Sequence, residues 1–261
     1  MSIASFFYTN YPKQYGFFLG IRERSVLPFK SILFKLGFNI FFGNKDQDKW
    51  VVEEVFNYKK KGYFVDLAAT DGFHENNTFF LEKRLKWKGI CIEPNKNFFS
   101  KLKKTRNAKC YCQIITSKKT NVEYVNNGGI GGIIGDEFDN NKKKRSNLIN
   151  KAREKNKIEK RKSESLYEIL KKAKAPRAID YLSLDVEGAE YEVFKNFPFH
   201  IYKFMSMTIE RPPKKLNNLL FKNGYKFVKN YKVDGFYIHK NFKNCENMKF
   251  EKFFQIGKKK W

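Results

Sequence analysis

The sequence predicts an open α/β sheet with helices on both faces, and three observations carry that expectation. Short apolar runs ending near a carboxylate recur from Lys61 onward: Gly62–Leu67 holds Asp66, Gly89–Pro94 holds Glu93, and Ala178–Asp185 closes on Asp185. Each run is followed by a stretch with helical spacing. The 261 residues are 41% hydrophobic and 17% aromatic, which suffices for one sizeable core and excludes wholesale disorder. Right-handed crossovers between such strands bring their C-termini to one edge of the sheet, where ligands bind.

The elements follow in order. Residues 1–60 read as an N-terminal helical extension, with Phe6, Phe7, Tyr8, Tyr11, Tyr15, Phe17 and Phe18 crowding its start. Phe29 to Phe38 reads as a short apolar helix carrying Lys30 and Lys35. Asp46 to Tyr58 reads as a second helix with Trp50, Val51, Val55 and Phe56 on one face and Asp46 or Asp48 as its cap. The extension is expected to pack on the main domain; an apolar face with lysines around it also permits a peripheral membrane contact.

The main domain is expected over residues 61–261. Its predicted strands are Gly62–Leu67, Gly89–Pro94, Lys109–Thr116, Asn121–Asn126, Ala178–Asp185, Phe204–Glu210, Tyr225–Lys229 and Gly235–His239. The predicted helices are Asn77–Lys86, Asn95–Arg106, Ser165–Lys174, Ala189–Asn196 and Lys214–Asn223. A basic insertion interrupts the rhythm at about residues 136–163. Its span Lys142–Lys162 holds 11 basic and 2 acidic residues and reads as a solvated, partly helical segment or as an arm for an anionic substrate. Before it, residues 126–135 contain five glycines, the pattern of a flexible loop at the substrate edge.

The formal charge of +26 comes from 44 Lys and 9 Arg against 27 acidic residues. Arg, whose planar fork pairs with phosphate, is scarce, so the charge permits an anionic partner without choosing nucleic acid, membrane or glycan. Four cysteines without a CxxC, beside three histidines, argue against a disulfide scaffold or a structural zinc. No apolar run is long enough to span a membrane, and no signal peptide is recognisable, so a cytoplasmic setting is expected.

The loop Val65-Asp66-Leu67-Ala68-Ala69-Thr70-Asp71-Gly72 lies between a strand and a helix, where a cofactor binds. It has neither GxGxxG nor a Walker lysine, which argues against NAD, FAD and ATP. Small side chains allow close approach, and carboxylates attract a cation. Glu93, 27 residues after Asp66, ends the next strand, where an acid holds ribose hydroxyls. A positively charged nucleoside without phosphate is S-adenosylmethionine.

At these residues the sequence resembles the FkbM-type methyltransferases. The resemblance rests on Gly62 to Gly72, on Trp87 to Asn95, on Ile179-Asp180-Tyr181-Leu182-Ser183-Leu184-Asp185-Val186-Glu187-Gly188-Ala189-Glu190, and on Ile209-Glu210. It spans about Lys61 to His239 and leaves out the extension and Lys142–Lys162. It implies a Rossmann-like, seven-stranded class I methyltransferase sheet and O-methylation of a sugar, glycan or glycolipid hydroxyl. By position, Asp66, Ala68, Asp71 and Gly72 would line the methionine end of S-adenosylmethionine. Glu93 would hold the ribose, Pro94 and Asn95 would border the adenine, and Gln113 would stand near the adenine amine. Ala68 stands where the family often has glycine; it fits there if its φ is negative.

An alcohol acceptor must lose its proton as the new bond forms. Asp185 is the first candidate for the base, with Glu187, His74 and Glu210 beside it. Asp185, Glu187 and Glu210 also form a hard-oxygen set suited to Mg²⁺. Two other readings stand against the glycan acceptor. One is a nucleic-acid ribose 2′-O-methyltransferase using the basic insertion; the other is a methyltransferase-like scaffold without catalysis.

Overall fold

A computed structural model describes residues 27–43, 46–128, 131–135, 138, 142–155 and 157–251. The aromatic cluster at residues 6–18 and part of the glycine-rich loop lie outside the described residues. The chain forms two compact units, Met1–Phe41 and Phe42–Trp261. In the first, residues 27–35 form helix α1. All the remaining elements among the described residues belong to the second.

The second unit starts with α2 (Gln47–Lys49), which runs into a π-helical turn at Trp50–Val55. Trp50, Val51, Val52 and Val55 are buried, and the Trp50 ring packs edge-on against Phe236. Neither predicted cap acts as one. Asp46 makes no side-chain capping bond. Asp48 is buried within the helix and accepts from the Phe42 and Gly43 amides at 2.8 Å, so it anchors the incoming chain.

Seven strands make the main sheet: β1 (Tyr63–Leu67), β2 (Lys88–Ile92), β3 (Lys109–Tyr111), β8 (Ala178–Leu184), β9 (Lys203–Glu210), β10 (Tyr225–Tyr231) and β11 (Asp234–His239). Their order is β10-β11-β9-β8-β1-β2-β3. β1 pairs parallel with β2 and β8, and β8 parallel with β9; only β11 runs against its neighbours, slotted between β9 and β10. This is the class I methyltransferase arrangement expected from the sequence. The central strands read as near-continuous apolar runs because helices cover both faces. Val65, Ile90, Leu182, Phe204 and Met207 are fully buried.

The covering helices are α3 (Phe79–Lys83), α4 (Lys96–Thr105), α6 (Leu166–Ala173), α7 (Glu190–Phe194) and α8 (Lys214–Lys222). Helix α4 begins where Asn95 Oδ1 accepts from the Asn97 and Phe98 amides. Helix α6 begins the same way on Ser165, which accepts from the Glu168 amide, and it buries Leu166, Ile169, Leu170 and Ala173 at helical spacing.

Two expectations are corrected. Lys109–Thr116 is not one strand. It breaks after Tyr111, and β4 (Ile114–Thr116) joins a separate four-stranded sheet ordered β4-β7-β5-β6, with β5 at Asn121–Val125 and β6 at Gly132–Ile133. The basic insertion is likewise not a solvated excursion throughout. Its first part is helix α5 (Lys142–Glu154), and its end is β7 (Ile158–Ser165), the long central strand of the small sheet. Ile114, Tyr124, Ile133, Phe138 and Ala189 form the small core beneath it.

Candidate functional site

The chain leaves β1 for β2 and β3 on one side and returns to β8 on the other. The crevice beyond the C-termini of β1 and β8 is therefore the topological switch point, where open α/β sheets bind ligands. A cleft partly open to solvent lies there. Leu67, Ala68 and Thr70 line it from the β1 loop, Glu93 and Pro94 from the end of β2, and Asp185, Val186 and Glu187 from the end of β8. Phe98, Ile114, Tyr124 and Ile133 wall it with apolar surface, so the small sheet forms one side of the site.

The β1 loop is held from below. Asp66 is buried and accepts from Thr78 Oγ1 at 2.7 Å and Asn76 Nδ2 at 3.0 Å. Burial raises its carboxyl above the usual range, against the pull of the nearby Arg106 guanidinium and the Thr78 and Asn76 hydrogen bonds. Arg106 is itself buried. It donates to Glu82 Oε2 at 3.0 Å, Asn76 Oδ1 at 2.8 Å, Thr78 Oγ1 at 2.9 Å and the Thr78 and Gly72 carbonyls. A methyl group on Gly72 would come within 2.6 Å of Leu102 and 2.7 Å of Arg106, so this turn needs glycine for close approach. Asp66 and Gly72 thus brace the loop and do not line the cleft.

Ala68 does line the cleft, but at φ +65°, in the left-handed region. The condition under which alanine replaces glycine without strain is not met, and the position costs roughly 1–2 kcal/mol. Its amide and that of Ala69 both donate to the Ile92 carbonyl, at 2.9 and 3.1 Å, which holds the turn against β2.

Glu93 is 4% exposed. Its Oε2 accepts from the Thr70 amide at 2.9 Å and its Oε1 from the Asn95 amide at 2.7 Å. Burial pushes its pKa up to about 7, with the two amides and Arg161 working in the opposite direction. Pro94 lines the cleft beside it, whereas Asn95 is spent on capping α4. Gln113 lines the cleft from the break between β3 and β4, its Nε2 donating to the Lys162 carbonyl at 2.8 Å.

Asp71 and His74 pair with each other, and Asp71 Oδ1 also accepts from the Phe73 and His74 amides. The His74 side chain is 57% exposed, and neither residue lines the cleft. Asp185, Glu187 and Glu210 do come together: one carboxylate oxygen from each lies within 4.8 Å of the others. Burial, then the Glu210, Glu187 and Glu190 carboxylates, hold Asp185 well above the ordinary range. Glu187 sits at φ +53° in the turn after β8, and Glu210 ends β9 with Arg211 at 3.0 Å.

Two residues of the site carry no sequence signal. Tyr124 reads only as one residue of a short strand. Arg161 reads as part of the basic run, yet its guanidinium turns inward, donating to the Pro94 carbonyl and, at 3.4 Å, to the Cys112 carbonyl, and it lies 5.7 Å from the centre of the Tyr124 ring. Arg161 therefore ties β7 to the wall of the cleft.

The family model described as the methyltransferase FkbM domain matches residues 66–231, more than half of the chain. No curated protein matches. Solved structures are also similar to the chain, three of them as follows. The METTL16 MTase domain (crystal form 2) shares 11% identity at TM-score 0.38, covering 73% of this chain and 64% of its own. The chain thus spans less than two thirds of that structure. A delta-N METTL16 MTase domain shares 12% identity at TM-score 0.41, covering 83% and 95%. The human methyltransferase 10 domain containing protein shares 11% at TM-score 0.41, covering 83% and 94%. With its family model spanning both the Glu93 and the Asp185 ends of the cleft, the chain belongs to the FkbM-domain methyltransferases.

Proposed function

We propose that this protein transfers the methyl group of S-adenosylmethionine to a hydroxyl oxygen of a sugar, glycan or glycolipid. The observation that carries the reading is one cleft with two chemically different ends: Glu93 in an apolar half, and the Asp185 and Glu187 carboxylates at the other, with Glu210 clustered beside them. The residues fit the cofactor. Phe98, Ile114 and Ile133 suit the faces of an adenine, Glu93 suits ribose hydroxyls as an acceptor, and the acidic end suits a sulfonium.

Once bound, the cofactor brings an already activated methyl group. What remains for the chain is alignment and one proton. The β1 loop and the β8 turn hold the two reactants in one line. Asp185 is the base: burial, then the Glu210, Glu187 and Glu190 carboxylates, raise its carboxyl above the ordinary aspartate range, so its ionised form takes a hydroxyl proton more readily than an ordinary aspartate does. Three clustered carboxylates repel unless a proton or a cation relieves them, and a divalent ion such as Mg²⁺ held there would lower the acceptor's pKa. His74 stays a minor candidate, because it is exposed and paired with Asp71.

An anionic acceptor is favoured by the exposed Lys157, Lys160 and Lys162, carried on or beside β7. The same lysines support the nucleic-acid reading, a ribose 2′-hydroxyl as acceptor with strongly salt-dependent binding. Calorimetric titration of S-adenosylmethionine and S-adenosylhomocysteine, with and without Mg²⁺, comes first. A methyl-transfer screen of neutral sugars, phosphorylated glycans and RNA follows. Asp185→Asn is expected to keep cofactor affinity and lose turnover. Absence of cofactor binding by folded protein would overturn the enzyme reading in favour of the scaffold; retained turnover in Asp185→Asn would remove Asp185 as base.

A further inference from the structure

Helix α1, in the first unit, is short and carries an apolar face. Phe29, Ile32 and Leu36 stand at i, i+3 and i+7, so they fall on one stripe of a 3.6-residue helix. Leu36 continues the helical pattern, its amide donating to the Ile32 carbonyl at 2.9 Å. These side chains are 60%, 55% and 70% exposed, and Phe38 just beyond is 58% exposed. A lone exposed leucine is ordinary; three large apolar side chains on one helical stripe make a patch that calls for an occupant.

The charge around the stripe has one sign. At 100° per residue, Lys30 and Lys35 fall to either side of it. No Asp or Glu occurs between Glu23 and Asp46, in a chain of formal charge +26. An apolar stripe between lysines meets both its requirements at a bilayer interface: acyl chains take the side chains, and anionic headgroups take the ammonium groups. No described helix is long and apolar enough to cross a membrane, so α1 would lie in the interface plane.

We propose that residues 29–38 dock this protein on the surface of an anionic lipid bilayer. Phe29, Ile32 and Leu36 enter the boundary between headgroups and acyl chains, and Lys30 and Lys35 face the headgroups. The proposal does not depend on the methyl-transfer reading. The test is flotation of the full chain with vesicles of phosphatidylcholine alone or containing phosphatidylserine.

Wild type is expected to float with the anionic vesicles and far less with the neutral ones. Phe29→Ser/Ile32→Ser/Leu36→Ser is expected to lower the apparent affinity for anionic vesicles by about ten-fold or more. Circular dichroism checks that this variant folds, which is expected because the three residues are exposed. Lys30→Glu/Lys35→Glu should abolish the preference for anionic over neutral vesicles. Equal binding of wild type and the serine variant would mean that general positive charge holds the chain, and would overturn the proposal. Failure of folded wild type to float with anionic vesicles would overturn it as well, and would assign the stripe to a protein occupant or to residues 1–26.

Discussion

Glu93→Gln separates the electrostatic role of Glu93 from its shape. The carboxyl is buried, and its pKa rises from 4.5 to about 7. The sign follows from which state loses its proton first. The unfolded chain deprotonates near 4.5, the folded one near 7, so folding stability falls as pH rises between those values and then levels. Each unit is worth about 1.4 kcal/mol, so the charged Glu93 costs the fold about 3 kcal/mol above pH 7 and nothing below about pH 4. Glutamine removes that cost. It also offers one acceptor where the carboxylate offers two, so either the Thr70 or the Asn95 amide faces an NH₂ group, at about 1–3 kcal/mol. Near pH 8 the two effects roughly cancel, and variant and wild type should be similarly stable. Near pH 4, where Glu93 is protonated, its hydroxyl oxygen can still accept from an amide and the glutamine NH₂ cannot, so the variant should be the less stable by about 1–3 kcal/mol. Urea denaturation of both proteins across this range measures the difference, in which the other titrating groups cancel. Cofactor affinity should respond in the opposite sense. A carboxylate that accepts ribose hydroxyls binds best when charged, so wild-type affinity for S-adenosylhomocysteine should rise with pH up to about 7. The variant should bind about ten-fold or more weakly near pH 8 without that dependence. A stability difference that does not change with pH refutes the burial argument; equal affinity near pH 8 refutes the ribose assignment.

Arg106→Leu leaves the buried Glu82 without its buried cation and takes one donor each from the Asn76 and Thr78 side-chain oxygens, and should cost about 3–5 kcal/mol in urea denaturation. Burial works against the Glu82 charge, but Arg106, the Asn107 amide and Lys83 outweigh it and hold the pKa low. The stability from Glu82 is therefore present above the ordinary glutamate range and lost as pH falls below it; a wild-type profile flat through acid pH would contradict this. Ala68→Gly relieves a left-handed alanine worth about 1–2 kcal/mol and returns about 0.4–1 kcal/mol of unfolded-state entropy, so a net gain of about 0.5–1 kcal/mol is expected with cofactor binding kept. A loss of stability on this change would show that the alanine side chain packs better than its backbone is strained.

Sequence alone determined the strand ends that make the site. Asp66, Glu93, Asp185 and Glu210 stand at or next to the C-terminal ends of β1, β2, β8 and β9, and period-2 and near-continuous apolar runs locate those strands without further information. It also identified Ala68 as the departure to watch, because small residues after the first strand are a local requirement. Tertiary structure decided what each carboxylate does. Asp66 and Glu93 look equivalent in sequence, yet one braces the loop through Asn76 and Thr78, and the other faces the cleft. The sign of the Ala68 φ, the break at Cys112 and Gln113, and the inward turn of Arg161 were equally hidden. Each depends on partners 24 to 67 residues away: Ile92 for the Ala68 amide, Lys162 for Gln113, and Pro94 for Arg161. Local patterning reports which face of an element is apolar. Hydrogen bonds between distant elements choose the role of a polar side chain, and they exist only once the sheet has brought those elements together.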